Sequence, residues 1–274
     1  MVNKHIDSIQ DWSWVLAVSV PEAYYFHLQD ANVTVDTHIH SEILFYFLKD
    51  DKIKTTKSDT IPTCHAVPYK TLYGHELPSE LKCNWTPPPY QEHFSKISKL
   101  QPAKPIIVVN NKYNEEWGNS PYNFLDEKFL NKLFSSKLSE KFDFYYIRYN
   151  SSFDTDGYYD DVGSDGGIKD YDLIKDFKNV TSIYDVMSKY KIGFNEAQMW
   201  MHSHASHSVA AAGAGAVLSC YFGNNVFIYN HPSCPSSGRR IWSTDSWLKN
   251  LGKPNVWGYK NYDEMLTGML DEIK

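Results

Sequence analysis

Three features of the second half of the chain carry residue types suited to gripping an anion. The run Ala211-Ala-Gly-Ala-Gly-Ala-Val-Leu-Ser-Cys-Tyr-Phe-Gly223, followed by Asn225-Val-Phe-Ile-Tyr-Asn230, reads as a small-residue loop, a short helix, a glycine stop and a buried strand. In the loop Ala212-Gly213-Ala214-Gly215 the two glycines lack side chains, so a ligand can come close to the backbone. The helix that follows would aim its unpaired N–H groups and the positive end of its dipole at that ligand, a geometry suited to a diphosphate. The competing reading is a tight helix–strand contact that binds nothing. Lys112 follows the apolar run Pro105-Ile-Ile-Val-Val-Asn110, where it could meet a phosphate, or be an ordinary solvated loop lysine. Arg148 closes Phe142-Asp-Phe-Tyr-Tyr-Ile-Arg-Tyr149, where its fork could clamp a diphosphate in bidentate fashion or form a structural ion pair with the acidic loop beyond it.

Acid–base chemistry has fewer candidates. Asp36-Thr-His-Ile-His40 follows an alternating segment, and an Asp beside a His can orient the ring and raise its basicity. Asp36 and His38 are therefore the first candidates for a base that deprotonates a hydroxyl, ahead of Glu22, His65, His75 and Glu76; surface polarity at a turn is the alternative for each. Asp154 and Asp156 could hold a divalent metal through hard oxygen ligands, but their loop also contains Asp160, Asp161 and Asp165, so such a pair arises easily by chance. No metal is expected. His202-Ser-His-Ala-Ser-His207 lacks a zinc-enzyme pattern and reads as structural histidines, with a hydrogen-bonding role near the glycine loop as the second choice. The chain has neither a GxSxG elbow nor a Walker lysine loop, which weighs against hydrolases and P-loop NTPases.

These residues need elements to position them. From residue 105 onward apolar strand-like runs alternate with helical periodicity. Strands are expected over 105–110, 142–149, at Val180, near 206–210 and over 226–229; helices over 125–142, 170–177, 184–190, 195–202 and 215–221. That alternation predicts an α/β fold with a doubly wound sheet, whose ligands bind at the carboxyl ends of the strands. Lys112, Arg148 and the 211–216 loop all fall on that edge. The first hundred residues are mixed: strands over 14–20, ended by Pro21, and over 31–36, a helix over 42–48 capped by Ser41, proline-rich loops, and a short helix over 94–100. The division is placed at 1–100 and 101–274.

Composition excludes several classes. A net charge of -6 with no long basic run argues against nucleic acid as a partner. Cys64, Cys83, Cys220 and Cys234 form no CxxC pair, so neither a zinc site nor a disulfide framework is expected. The N-terminus has an acid and no apolar core, and no run approaches the length of a membrane span, so a cytoplasmic protein is expected.

The run Pro105-Ile-Ile-Val-Val-Asn-Asn-Lys-Tyr-Asn-Glu-Glu-Trp117, then Tyr122-Asn-Phe-Leu125, Tyr145-Tyr-Ile-Arg148, the late small-residue loop and Ser219-Cys-Tyr-Phe-Gly223 resemble a group of glycosyltransferases found in giant viruses and in some microbes and algae. The likeness covers roughly residues 104–230. Where such proteins often have two adjacent glycines, this chain alternates Ala212-Gly213-Ala214-Gly215. The resemblance implies a GT-B-like arrangement of two Rossmann-like domains facing a cleft. The C-terminal domain would hold a nucleotide-sugar, UDP-linked in the commonest case, and the N-terminal domain the glycan acceptor and usually the base. It implies that Lys112 and Arg148 touch the donor phosphates beside Ala212, Gly213, Ala214 and Gly215. It also implies that basic residues and a helix dipole can replace a metal, that the last helix can cross back onto the first domain, and, for a viral protein, residence in host cytoplasm. Two other readings compete. One is a metal-dependent GT-A-type transferase using Asp154 and Asp156, which chelator would inhibit. The other is a non-catalytic carbohydrate-binding protein stacking sugars on Trp12, Trp14, Trp85 and Trp117, which would ignore nucleotides. A reductase is disfavoured because no GxGxxG follows the 105–110 strand.

Overall fold

A computed structural model describes residues 2–9, 12–56, 82–113, 121–149, 167–234 and 241–273. Six strands of the second half form one parallel sheet: β4 (Ile106–Asn110), β5 (Asp143–Ile147), β6 (Val180–Ser182), β7 (Ala205–Ala211), β8 (Asn225–Tyr229) and β9 (Asn255–Tyr259), in the order β6-β5-β4-β7-β8-β9. The chain moves outward from β4 to β6, crosses back, and moves outward again from β7 to β9. Strand order thus reverses between β4 and β7, and in such sheets the crevice for a ligand opens at that reversal, beyond the carboxyl ends.

The sheet is covered on both faces, which is why β4 is buried at every position and apolar up to its last residue, Asn110. Alternate side chains point to opposite faces. Ile106 and Val108 share one core with Ala210, Val226 and Ile228. Ile107 and Val109 share the other with Val209, Ala211 and Phe227. The second core is closed by the helices Glu127–Phe134 and Tyr262–Glu272, whose Phe129, Leu130, Met265 and Met269 are buried. The last helix therefore caps the second sheet, with Tyr262 stacked on Tyr229 at 4.1 Å, and its apolar stripe is spent there rather than on the first half. Local chemistry sets these helix starts: Asp126 accepts from Phe129 N at 2.7 Å, and Ser182 and Asp185 form a capping box ahead of Ile183–Tyr190.

The first half contains a three-stranded parallel sheet, β1 (Asn3–Ser8), β2 (Asn32–His38) and β3 (Ile53–Thr56), in that order. Here the structure corrects the sequence reading. Residues 14–20 are not a strand. A continuous helical path runs through Trp12–Trp14, a π-helical Val15–Ser19 and Val20–Leu28. Proline in a helix leaves carbonyls unserved one turn back. Side chains serve them here: Trp85 Nε1 donates to Ala17 O at 2.8 Å, and Tyr221 Oη donates to Leu16 O. Long-range donors, invisible to local pattern, make Pro21 tolerable. The helix expected at 42–48 shrinks to a 3-10 turn, Glu42–Phe45, without a Ser41 side-chain cap. Strands β1 and β3 went unread because they are mostly polar, with Ile6 and Ser8 the buried positions of β1.

The boundary near residue 100 falls between the Tyr90–Ile97 helix and β4, and the core is continuous across it. Ile6, Val33, Val35 and Phe45 of the first half belong to the same cluster as Val108, Ala210 and Val226 of the second. Tyr90 stacks on Tyr221 at 4.7 Å and donates to Leu44 O at 2.8 Å. Among the described residues no helix is long and apolar enough to cross a membrane.

Candidate functional site

At the reversal point β4 ends in Asn110, followed by Asn111 and Lys112, and β7 runs out through Ala211 and Ala212 into Gly213, Ala214 and Gly215. Asn111 is buried and fixes the exit from β4. Its Oδ1 accepts from Lys112 N (2.9 Å) and Leu125 N (2.7 Å), and its Nδ2 donates to Leu125 O (3.0 Å) and Tyr146 Oη (2.8 Å). The chain turns here in one way, and Lys112 is held beside the glycine loop.

The two glycines make room for side chains of this same turn. A Cβ on Gly213 would stand 2.8 Å from Lys112 Nζ and 3.3 Å from its Cε, so the lysine tip lies along the glycine. Gly213 also has φ = +153°, a conformation that strains any other residue. A Cβ on Gly215 would stand 2.3 Å from Asn110 Oδ1. The close approach expected of a ligand is thus partly taken up by Lys112 and Asn110, which the glycines bring against the loop. The helix behind it, Ala214–Cys220, has seven residues, under two turns, so its dipole adds little beside a full ammonium charge. We expect Gly215→Ala to destabilise the protein by about 1–3 kcal/mol through overpacking against buried Asn110. A urea midpoint unchanged from wild type would show that Asn110 does not fill that slot.

Arg148 is placed differently from the expectation. Its side chain is 2% exposed; Nε and Nη2 both engage Asp170, the latter at 2.7 Å, and Nη1 donates to Tyr149 O at 3.2 Å. The bidentate fork is closed on a protein carboxylate, the structural ion pair that competed with the clamp reading, although its partner Asp170 lies beyond the acidic segment. The same Asp170 accepts from Tyr146 Oη, which reaches Asn111. A buried polar path therefore joins Arg148 to Asn111 and to the backbone of Lys112. Burial and the neighbouring Asp170 carboxylate push the Tyr146 phenol well above its ordinary value, so it remains a neutral donor.

On the first sheet Asp36 and His38 lie two residues apart, on one side of β2. The Asp36 carboxylate is 3.7 Å from Lys54 Nζ of β3, and His38 is buried at the strand's carboxyl end. Two residues on, His40 O accepts from Asn195 Nδ2 at 2.6 Å, while the adjacent Phe194 meets Tyr149 edge-on, just past β5. The carboxyl edges of β2 and β5 are therefore linked through the start of the Phe194–His204 helix.

The histidine cluster disperses: His202 sits 3.4 Å from the Asn110 amide, His204 bonds Ser98 at 3.0 Å and His207 lies 3.3 Å from Asn225. Burial lowers the pKa of all three, that of His202 to about 3. Trp14 is buried and Trp85 is bonded to Ala17 O, with Trp247 against its ring, while Trp12 packs on the core, so these three do not form a sugar-stacking surface. Asp154, Asp156, Trp117, His65, His75, Glu76 and Cys64 lie outside the described residues. Among those described, no three His, Cys, Asp or Glu side chains gather as a metal site. Sequence reasoning missed Asn110, Asn111, Tyr146 and Asp170. The signal for the first two was present: paired amides directly at the end of a fully apolar strand.

No protein-family profile matches the chain, and no curated protein matches it in sequence. Solved structures do match in shape. The E. coli ADP-heptose LPS heptosyltransferase II aligns over 100% of both chains with a TM-score of 0.56 at 9% identity. The chain has a GT-B-like fold. Weaker likenesses, below a TM-score of 0.5, are the iron-containing dodecameric glycosyltransferase TibC from enterotoxigenic E. coli and the wall teichoic acid polymerase TagF. For TibC the alignment covers 86% of this chain and 60% of that one at 12% identity and TM-score 0.41; for TagF, 88% and 51% at 9% and 0.33.

Proposed function

We propose that the chain is a glycosyltransferase moving a sugar from a nucleotide-diphosphate donor to a hydroxyl of a glycan acceptor. The observation that carries this reading is Lys112, whose ammonium lies along Gly213 at the reversal point of the second sheet. The GT-B-like fold supports it, because the structure it resembles is a heptosyltransferase by name. As the glycosidic bond breaks, the bonding pair leaves with the diphosphate and its charge rises. A preorganised cation at that place lowers the barrier. The acceptor oxygen attacks the anomeric carbon. In an inverting reaction its proton passes to a base from the first sheet, for which Asp36 and His38 remain the candidates; a retaining reaction needs none. The family resemblance favours a UDP-linked donor, whereas the structural neighbour is named for ADP-heptose. The net charge of -6, with no long basic run, weighs against nucleic acid as a partner, so the donor's charge has to be met locally by Lys112. A cytoplasmic place of action, host cytoplasm in the viral case, belongs to this reading.

Thermal shift against UDP-, ADP-, GDP- and CDP-sugars tests it. We expect a selective rise for one donor, since a ligand at a hundred times its Kd stabilises by about 2.7 kcal/mol. A flat response across the panel, with no binding by calorimetry, would overturn the reading. A rise with glycan alone would favour the carbohydrate-binding alternative.

A further inference from the structure

We infer that Asn110 presents its amide NH2 to the anion held by Lys112, and that His202 fixes this orientation from behind. The inference rests on the diphosphate reading of the crevice and deepens it, adding a neutral, directional donor beside the ammonium. Asn110 is 8% exposed at the lip where β4 ends. Its amide packs against Gly215, two residues from the glycine that Lys112 covers; a Cβ there would meet Oδ1 at 2.3 Å and Nδ2 at 2.7 Å. The Nδ2 position also lies 3.4 Å from His202 Nε2. A half-turn of the amide exchanges nitrogen and oxygen without changing its shape. His202 decides which way it points.

His202 is wholly buried, stacked at 5.4 Å on Phe222, and its Nδ1 has no hydrogen-bond partner. Burial keeps the ring neutral, so it carries one hydrogen. On Nδ1 that hydrogen would be a buried, unpaired N–H. On Nε2 it finds a partner, and only a lone pair is left unserved. Orphaned N–H groups are rarer than under-served acceptors. Nε2–H therefore donates to the Asn110 carbonyl oxygen, and the amide NH2 turns to the Gly215 side.

Two measurements on the whole 274-residue chain test this. The first uses 15N-histidine NMR of the unmodified protein, which reports the tautomer of each ring. We expect His202 protonated on Nε2, and an Nδ1-protonated ring would overturn the orientation. The second is calorimetry with UDP, ADP and inorganic pyrophosphate on wild type, Lys112→Ala and Asn110→Asp. Replacing the amide by an isosteric carboxylate removes a donor and faces the anion with like charge. Affinity for the probes that bind should fall about 30-fold or more. Wild-type affinity in folded Asn110→Asp would overturn the role of Asn110 while leaving the Lys112 site standing. If wild type binds none of the probes, or Lys112→Ala binds them undiminished, the site itself fails and the inference falls with it.

Discussion

Lys112→Ala is expected to lower kcat/KM for sugar transfer by about 10²–10³-fold, the loss found when one preorganised donor to developing negative charge is removed. Three observations place that effect on the chemistry rather than the fold. The backbone at Lys112 is held by Asn111, not by the lysine's own side chain. The ammonium lies at the strand reversal, along a glycine whose φ of +153° suits no other residue. Lys112 is half-buried, and truncating it removes the ammonium from the reversal point without touching the Asn111 bonds that hold the turn. Circular dichroism and melting temperature should therefore stay near wild type while transfer collapses. Transfer within threefold of wild type would remove Lys112 from the donor site.

Asp170→Ala should act in the opposite way, through stability. The carboxylate is 0% exposed and holds Arg148, which is 2% exposed. Removing one partner of a buried ion pair strands the other charge, at a cost of about 3–5 kcal/mol. For a chain of this size that is roughly 10 °C in Tm. The double replacement Arg148→Met with Asp170→Leu should recover much of the loss, because an apolar pair of similar volume leaves no charge behind. A single Asp170→Ala variant as stable as wild type would mean that the pair is not buried in solution. Arg148→Ala would then be expected to weaken transfer by direct loss of phosphate contact, the role the sequence first suggested for it.

The second half was legible because its signals are local. A short β-branched run such as Ile106–Val109 favours a strand covered on both faces, and 205–229 announces strand, glycine loop, helix and strand in order. The first half was opaque because its structure is settled at long range. Val15–Ser19 has β-branched residues and a following proline, yet it winds as a helix because Trp85 and Tyr221, far away in sequence, occupy its stranded carbonyls. Within the site, Lys112 and the glycines were visible as residue types. What they do to each other was not: Gly213 and Gly215 vacate space that Lys112 and Asn110 enter. Arg148 was read as a clamp because its fork fits phosphate and carboxylate alike, and no periodicity reveals that Asp170, more than twenty residues further along the sequence, reaches it first.

The apolar interior that runs unbroken from Val33 through Phe45 and Tyr221 to Val226 has a consequence for how substrates come and go. Two lobes joined by a thin linker can rock apart on a hinge, but here any such rocking would tear hydrocarbon out of contact along the whole seam. On the proposed function, donor and product are therefore expected to pass at the margins of the crevice rather than by rocking of one sheet against the other.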